Sequence, residues 1–211
     1  MKDMKGKGSR NKAPLQNSGK LSAWSSFWRF PIVWMIAGAV GILLIDAFFR
    51  QLTERVEGIA SLILTLIMGF LAILVYKLTM TRLARRSAPE ISGQRAGMEA
   101  VLGILTGTVF IAGSAVMITA LGGYSFQWAS SADTSSVLVS SLGAALGAAI
   151  VEELMFRGLL FQVLVKMGGS SLALAVTSLF FGAAHLGNPG ATWWSAFAIV
   201  LEAGVLLGAA F

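Results

Sequence analysis

Long apolar runs constrain this chain more than any other feature. Pro31 to Phe49, Gly58 to Leu78 and Glu99 to Leu121 are each of spanning or near-spanning length, interrupted in the first only by Asp46. A fourth run stays mostly apolar from about Ser135 to Val165, a fifth covers Ser170 to Leu186 and a sixth covers Thr192 to Phe211. A bilayer core about 30 Å thick takes roughly 20 apolar helical residues. Backbone polar groups in lipid must be satisfied within their own segment, so runs of this length predict transmembrane helices. The expected fold is all-α: a polytopic transmembrane helical bundle of about six helices. The fourth run is too long for one simple span, covering roughly 45 Å, so it must tilt, protrude or break. Only 12% of the 211 residues are charged, against roughly 25% in soluble domains, which argues against a water-soluble globular domain.

The charges that do occur are unevenly placed. Lys2, Lys5, Lys7, Arg10, Lys12, Lys20 and Arg29 all precede the first apolar run. Residues 1–29 therefore read as a basic cytoplasmic tail, disordered for want of apolar surface and drawn to anionic lipid. No basic domain interleaved with aromatics accompanies it, so nucleic acid is not an expected partner. Lys77, Arg82, Arg85, Arg86 and Arg95 lie between the second and third runs, whereas the 122–134 loop has no Lys or Arg. By the positive-inside rule the N-terminus and the 77–98 loop are cytoplasmic and the 122–134 loop is external. Trp24, Trp28, Trp128, Trp193 and Trp194 stand where interfacial belts are expected. A signal peptide is rejected, because the preceding tail is long and the first run ends Asp46-Ala-Phe-Phe49 and not in a small-x-small cleavage site. The organisation expected is the tail, three N-terminal transmembrane helices over 30–134, and a C-terminal part over 135–211.

Chemistry is narrowed by what is missing. With no cysteine, thiolate nucleophiles, disulfides, iron–sulfur clusters and Cys-type zinc sites are excluded. With one histidine, His185, the chain alone cannot build a two-histidine metal site. Ionisable side chains inside apolar helices are expensive and each asks for a reason. The densest group is Glu152, Glu153 and Arg157. On a helix Glu153 and Arg157 are i,i+4 neighbours and can pair, while Glu152 points about 100° away and is left for another partner. Gly168-Gly169 marks a turn, after which Phe181-Gly-Ala-Ala-His185 follows. In an antiparallel hairpin centred near Gly169, Glu153 and His185 lie at the same height, roughly 24 Å along the helix axes, with Glu152 close by. A carboxylate and an imidazole so placed can take a proton from water and return it to a leaving amine. The plain alternatives are an interfacial ion pair for the acids and Arg157, and a histidine bonded to backbone or headgroup at a helix end.

Asp46 and Glu202 are weaker candidates for a proton relay, better read as protonated or hydrogen-bonded to a neighbouring helix. Gly143-xxx-Gly147 and Gly204-xxx-Gly208 are spacings that allow close helix approach. Asn188-Pro189-Gly190 breaks the chain after His185, and Asn188 can also orient a substrate group.

The string Glu152-Glu153-Leu-Met-Phe-Arg157-Gly158, followed by Phe181-Gly-Ala-Ala-His185-Leu-Gly-Asn188-Pro189, resembles the CAAX protease and bacteriocin-processing family (CPBP, also called Abi) of intramembrane proteases. Both motifs, Glu-Glu-x-x-x-Arg and Phe-x-x-x-His, match in order and spacing, over about residues 135 to 211. The resemblance implies an all-helical membrane hydrolase, of the bacterial cytoplasmic membrane, that cuts membrane-associated or lipidated peptide substrates. It implies Glu152 as general base with His185 beside it, and Glu153, Arg157, Phe181 and Asn188 in support. The family is often labelled metalloprotease, and a metal-free glutamate mechanism has also been argued. A divalent metal such as zinc, held by His185 and Glu152, and a metal-free route therefore both stay open. Family members carry a further helix with His-x-x-x-Asn or His-x-x-x-Asp; no second histidine exists here, and Gly208-Ala-Ala-Phe211 closes an apolar run without a polar flank. The chain is thus expected to be C-terminally truncated relative to that pattern. Two other classes compete: a non-catalytic membrane protein such as a bacteriocin-immunity or scaffolding factor, and a small proton-coupled transporter using Glu152, Glu202 and His185.

Overall fold

The computed structural model describes residues 30–91, 93, 96–123, 125, 126, 134–206 and 208, and these are helical or in short connections, without strands. Helix α1 is Pro31–Thr53, α2 Ile59–Leu78, α3 Ala96–Ala120, α4 Thr134–Glu153, α5 Phe161–Ala184 and α6 Trp193–Ile199. Three π-helical segments, Thr79–Leu83, Leu154–Leu160 and Val200–Val205, prolong α2, α4 and α6. The tail 1–29, with Trp24 and Trp28, and Trp128 lie outside the described residues. Trp193 and Trp194 are exposed where α6 begins. Four segments are long and apolar enough to cross a bilayer: Pro31–Thr53, Ile59–Leu83, Ala96–Ala120 and the 54-residue Thr134–Gly187. The protein is a helical membrane bundle.

Local chemistry explains the boundaries. Pro31 opens α1, where its missing N–H costs nothing and its φ is already helical. Thr192 caps α6 by accepting from the Ser195 amide, while the Ser195 hydroxyl takes the Thr192 amide in return. The longest segment does not run straight. The Phe156 and Phe181 rings lie 5.0 Å apart, whereas 25 residues of unbroken helix would separate them by roughly 37 Å. The chain therefore folds back within α5, at Gly169, whose φ of 82° and ψ of 176° are not helical. The midpoint of the Phe156–Phe181 pair falls between Gly168 and Gly169, so the hairpin has the register expected from the motif spacing. The fourth run, Ser135 to Val165, does not break: it continues through its π-helical stretch, and the turn follows it. Counting the arm 170–184 separately gives six helices among the described residues, of which the described part of the last, Trp193–Val205, is shorter than a span.

Gly169 occupies a region of backbone space that side chains other than glycine's essentially do not enter, and a Cβ there would meet nothing within 4 Å. Gly169→Ala thus isolates backbone strain from clash. We expect it to cost about 1–3 kcal/mol, read as a lower unfolding midpoint in detergent micelles; an unchanged midpoint would show that the turn relaxes at no cost.

The core lies among α1, α2 and the α4 extension, where Trp34, Ile42, Met68, Ala72, Tyr76, Met80, Leu154, Leu159 and Val163 are buried. Lipid gives helices no hydrophobic reason to associate, so close van der Waals approach carries the packing, and small residues sit at the seams. Gly143 faces Leu62 and Thr65, Gly147 faces Thr65 and Met68, and Gly69 faces Ile150. Gly204 and Gly208 face Ser178 and Leu174 across the α5–α6 seam. Both small-xxx-small spacings therefore serve packing. Buried hydroxyls turn back on their own helices: Thr65 donates to Ser61 O, Thr177 to Ala173 O and Ser178 to Leu174 O. Helix α3 buries none of its residues.

Candidate active site

The site is organised around a guanidinium that has been taken out of solvent. Arg157 is only 2% exposed, and a charge so placed requires partners. Its Nη2 donates to Ala203 O at 2.8 Å, reaching the π-helical segment that follows α6. Its Nη1 lies 3.2 Å from Glu153 Oε1; the angle is poor, so this is a charge contact without a directed hydrogen bond. The Glu153 side chain is 47% exposed, which limits what the pair contributes to stability. The guanidinium carbon stands 4.6 Å over the Phe181 ring, a cation–π contact. Arg157 thereby joins its own segment, the return arm of the hairpin and the α6 extension.

Phe181 is the hinge between the two motifs. It meets Phe156 edge-to-face at 5.0 Å and the His185 ring at 4.8 Å. His185 stands where α5 gives way to the 3-10 turn His185–Gly187, and the last carbonyls of a helix lack intrahelical donors. Its Nδ1 is 2.8 Å from Phe181 O. A carbonyl only accepts, so Nδ1 carries the hydrogen and Nε2 of the neutral ring is left as the acceptor.

Glu153, Arg157, Phe181 and His185 thus form one connected cluster. Glu152 is half-buried beside Glu153 and makes no hydrogen bond or ion pair among the described residues. Asn188 is exposed, and its backbone closes the turn after His185: its amide donates to His185 O and its carbonyl accepts from Ala191. Glu202 is exposed next to Ala203. Asp46 bonds Arg50 at 2.8 Å, a neutralising pair one helical turn apart. Among the described residues no three His, Asp or Glu side chains converge on a point that could hold a metal. A catalytic zinc takes three protein ligands, so these residues do not by themselves fit one.

Depth follows from packing. Ile150 presses on Gly69, near the middle of α2, and Glu152 and Glu153 follow within one turn. At the other end Lys166 lies 5.3 Å over the Trp34 ring, one turn into α1. The Gly168-Gly169 turn therefore belongs to the bundle end where α1 starts, and the acidic pair lies at mid-height. Two contributors are not among the residues singled out from the sequence. Ala203 acts through its carbonyl, which every residue possesses. Tyr76 packs so closely on Gly158 that a Cβ there would lie 2.6 Å from the ring; glycine directly after Arg157 was the available hint.

Residues 134–211 match the family described as type II CAAX prenyl endopeptidase Rce1-like. That segment, 78 of the 211 residues, is similar to this family. Neither the curated proteins nor the solved structures yielded a match. The matched segment begins with α4 and holds both motifs, so Glu152, Glu153, Arg157, Phe181, His185 and Asn188 are all within it. The core helices α1 and α2 lie outside it and pack against it.

Proposed function

We propose that the protein hydrolyses peptide bonds of membrane-associated or lipidated peptides, using a water activated by Glu152 and His185. The observation that supports this most is the cluster in which Arg157 and Phe181 bind the two motif helices to each other inside the bundle. In this reading the Glu152 carboxylate takes a proton from water as the water oxygen adds to the scissile carbonyl carbon. The free Nε2 of His185 accepts the second O–H and orients the nucleophile. When the C–N bond breaks, the proton on Glu152 passes to the leaving nitrogen, which departs as an amine, and the carboxylate is restored. Glu153 and Arg157 act as positioning residues, and Asn188 is placed to meet the substrate beyond the His185 turn. The matched family's description names a CAAX prenyl endopeptidase, so peptides ending in a prenylated cysteine motif are the first substrates to offer.

One observation favours a second reading, a non-catalytic scaffold: no hydrogen bond joins Glu152 to His185. The two separate in proteoliposomes carrying the full chain and an internally quenched prenylated peptide. We expect cleavage that scales with protein and is absent from empty vesicles. Lack of cleavage of this peptide and of its unprenylated counterpart would move the assignment to the scaffold.

A further inference from the structure

Outside the matched segment, α2 ends in a partly buried polar network that the sequence did not single out. Tyr76 is fully buried. Its hydroxyl donates to Glu90 Oε1, and the same carboxylate oxygen accepts from Arg86 Nη2. Arg86 is held in turn by its backbone amide on Met80 O, and its Nε lies 3.3 Å from Met80 Sδ. The connection after α2, residues 84–91, is thereby fastened to the end of that helix. On its other side the Tyr76 ring lies against Gly158, the residue after Arg157, closely enough to exclude any Cβ. The hydroxyl is 3.4 Å from Gly158 O, long for an O–H···O bond, and its single proton is given to Glu90. The stretch it supports, Leu154–Leu160, is π-helical, a rare geometry that within α-helices frequently accompanies functional sites.

We propose that Tyr76, held by Glu90 and Arg86, is a positioning residue for the candidate active site: its ring is the surface against which the Leu154–Leu160 segment is set, and with it the orientation of Glu152 and the placement of Arg157. The polar network does not touch the reacting groups. It anchors a rigid ring, and the ring sets the backbone that carries them. The kinetic arm rests on the peptidase reading above; the exchange arm does not.

Tyr76→Phe keeps the ring and removes only the tether, while Glu90→Ala removes the tether from the other side. Glu90→Gln keeps an oxygen that can accept from Tyr76. We expect Tyr76→Phe and Glu90→Ala each to lower kcat about tenfold, the scale of one hydrogen bond to a charged partner, with KM within twofold. The double variant should be no worse than either single, because both break one device, and Glu90→Gln should recover most of kcat. Hydrogen–deuterium exchange on the full chain in nanodiscs supplies the second readout: both singles should raise exchange at 154–160 severalfold and leave 134–147 unchanged. Multiplicative losses in the double variant would overturn the proposal. So would a lowered unfolding midpoint with kcat per folded molecule intact, or, in Glu90→Ala, faster exchange confined to 84–91. If the parent chain cleaves no peptide, the peptidase reading fails and the exchange result alone decides the positioning role.

Discussion

Glu152→Gln is expected to reduce peptide hydrolysis by about a hundred- to ten-thousand-fold, the range that general acid–base catalysis supplies, with little change in the unfolding midpoint. The reason is that Glu152 has no hydrogen-bond or ion-pair partner among the described residues, and is half-buried. An amide of the same shape therefore forfeits no native contact; it forfeits only the ability to take a proton. Glu153→Gln supplies the contrast. It weakens the charge contact to Arg157 Nη1, but Arg157 keeps its bond to Ala203 O and its place over Phe181. A loss of roughly tenfold or less is expected, because the pair is half open to its surroundings. His185→Ala should resemble Glu152→Gln, since it removes the free Nε2. Initial rates in proteoliposomes, normalised to folded protein, check all three. If Glu152→Gln hydrolyses at the parental rate, the proton acceptor is elsewhere and the scaffold reading gains.

Much of this geometry was legible because it is local or symmetric. Glu153 and Arg157 are four residues apart, and helical spacing alone brings them together. The hairpin could be read because Gly168-Gly169 lies midway between the two motifs, and Phe156 meeting Phe181 gives the same register. The spacing of Gly143 and Gly147 likewise announced a close seam. What could not be read depends on contacts between segments far apart in sequence. Arg157 was assigned one partner, Glu153, whereas burial gives it Ala203 O, 46 residues on, and the Phe181 ring. Gly158 looked like a motif residue of no stated purpose until Tyr76, 82 residues earlier, was found against it. Asp46 was read as protonated or bonded to a neighbouring helix, whereas its partner is Arg50, one turn along its own helix. The π-helical turns have no period that an apolar pattern betrays, since one extra residue per turn shifts the face by less than the width of an apolar helix surface.

Glycines separate into those that helices need and those that nothing contacts, and the second large effect follows from that difference. A Cβ at Gly182 would stand 2.3 Å from Val200 Cγ2, 2.6 Å from the Ala196 carbonyl oxygen and 3.2 Å from the Val200 amide nitrogen. A side-chain tip can rotate away, but the Ala196 and Val200 backbones belong to α6 and its extension, so the whole element must move. Gly182→Ala would force apart the return arm and the segment whose Ala203 carbonyl holds Arg157. Overpacking of this kind costs about 1–3 kcal/mol, and because rigid backbone is involved we expect the upper part of that range. Alanine's better helix propensity returns up to about 1 kcal/mol, which is too little to cancel it. His185 lies three residues along the same arm, so hydrolysis should fall together with stability. Gly107→Ala is the matched control: on α3 a Cβ meets nothing within 4 Å, so only the propensity gain remains and the midpoint should hold or rise. Unfolding of both variants in mixed micelles, followed by circular dichroism, tests the pair. Equal midpoints for Gly182→Ala and Gly107→Ala would mean that the α5–α6 seam is not closed as tightly as these distances require, and the Arg157–Ala203 bond would lose its role in holding the motifs together.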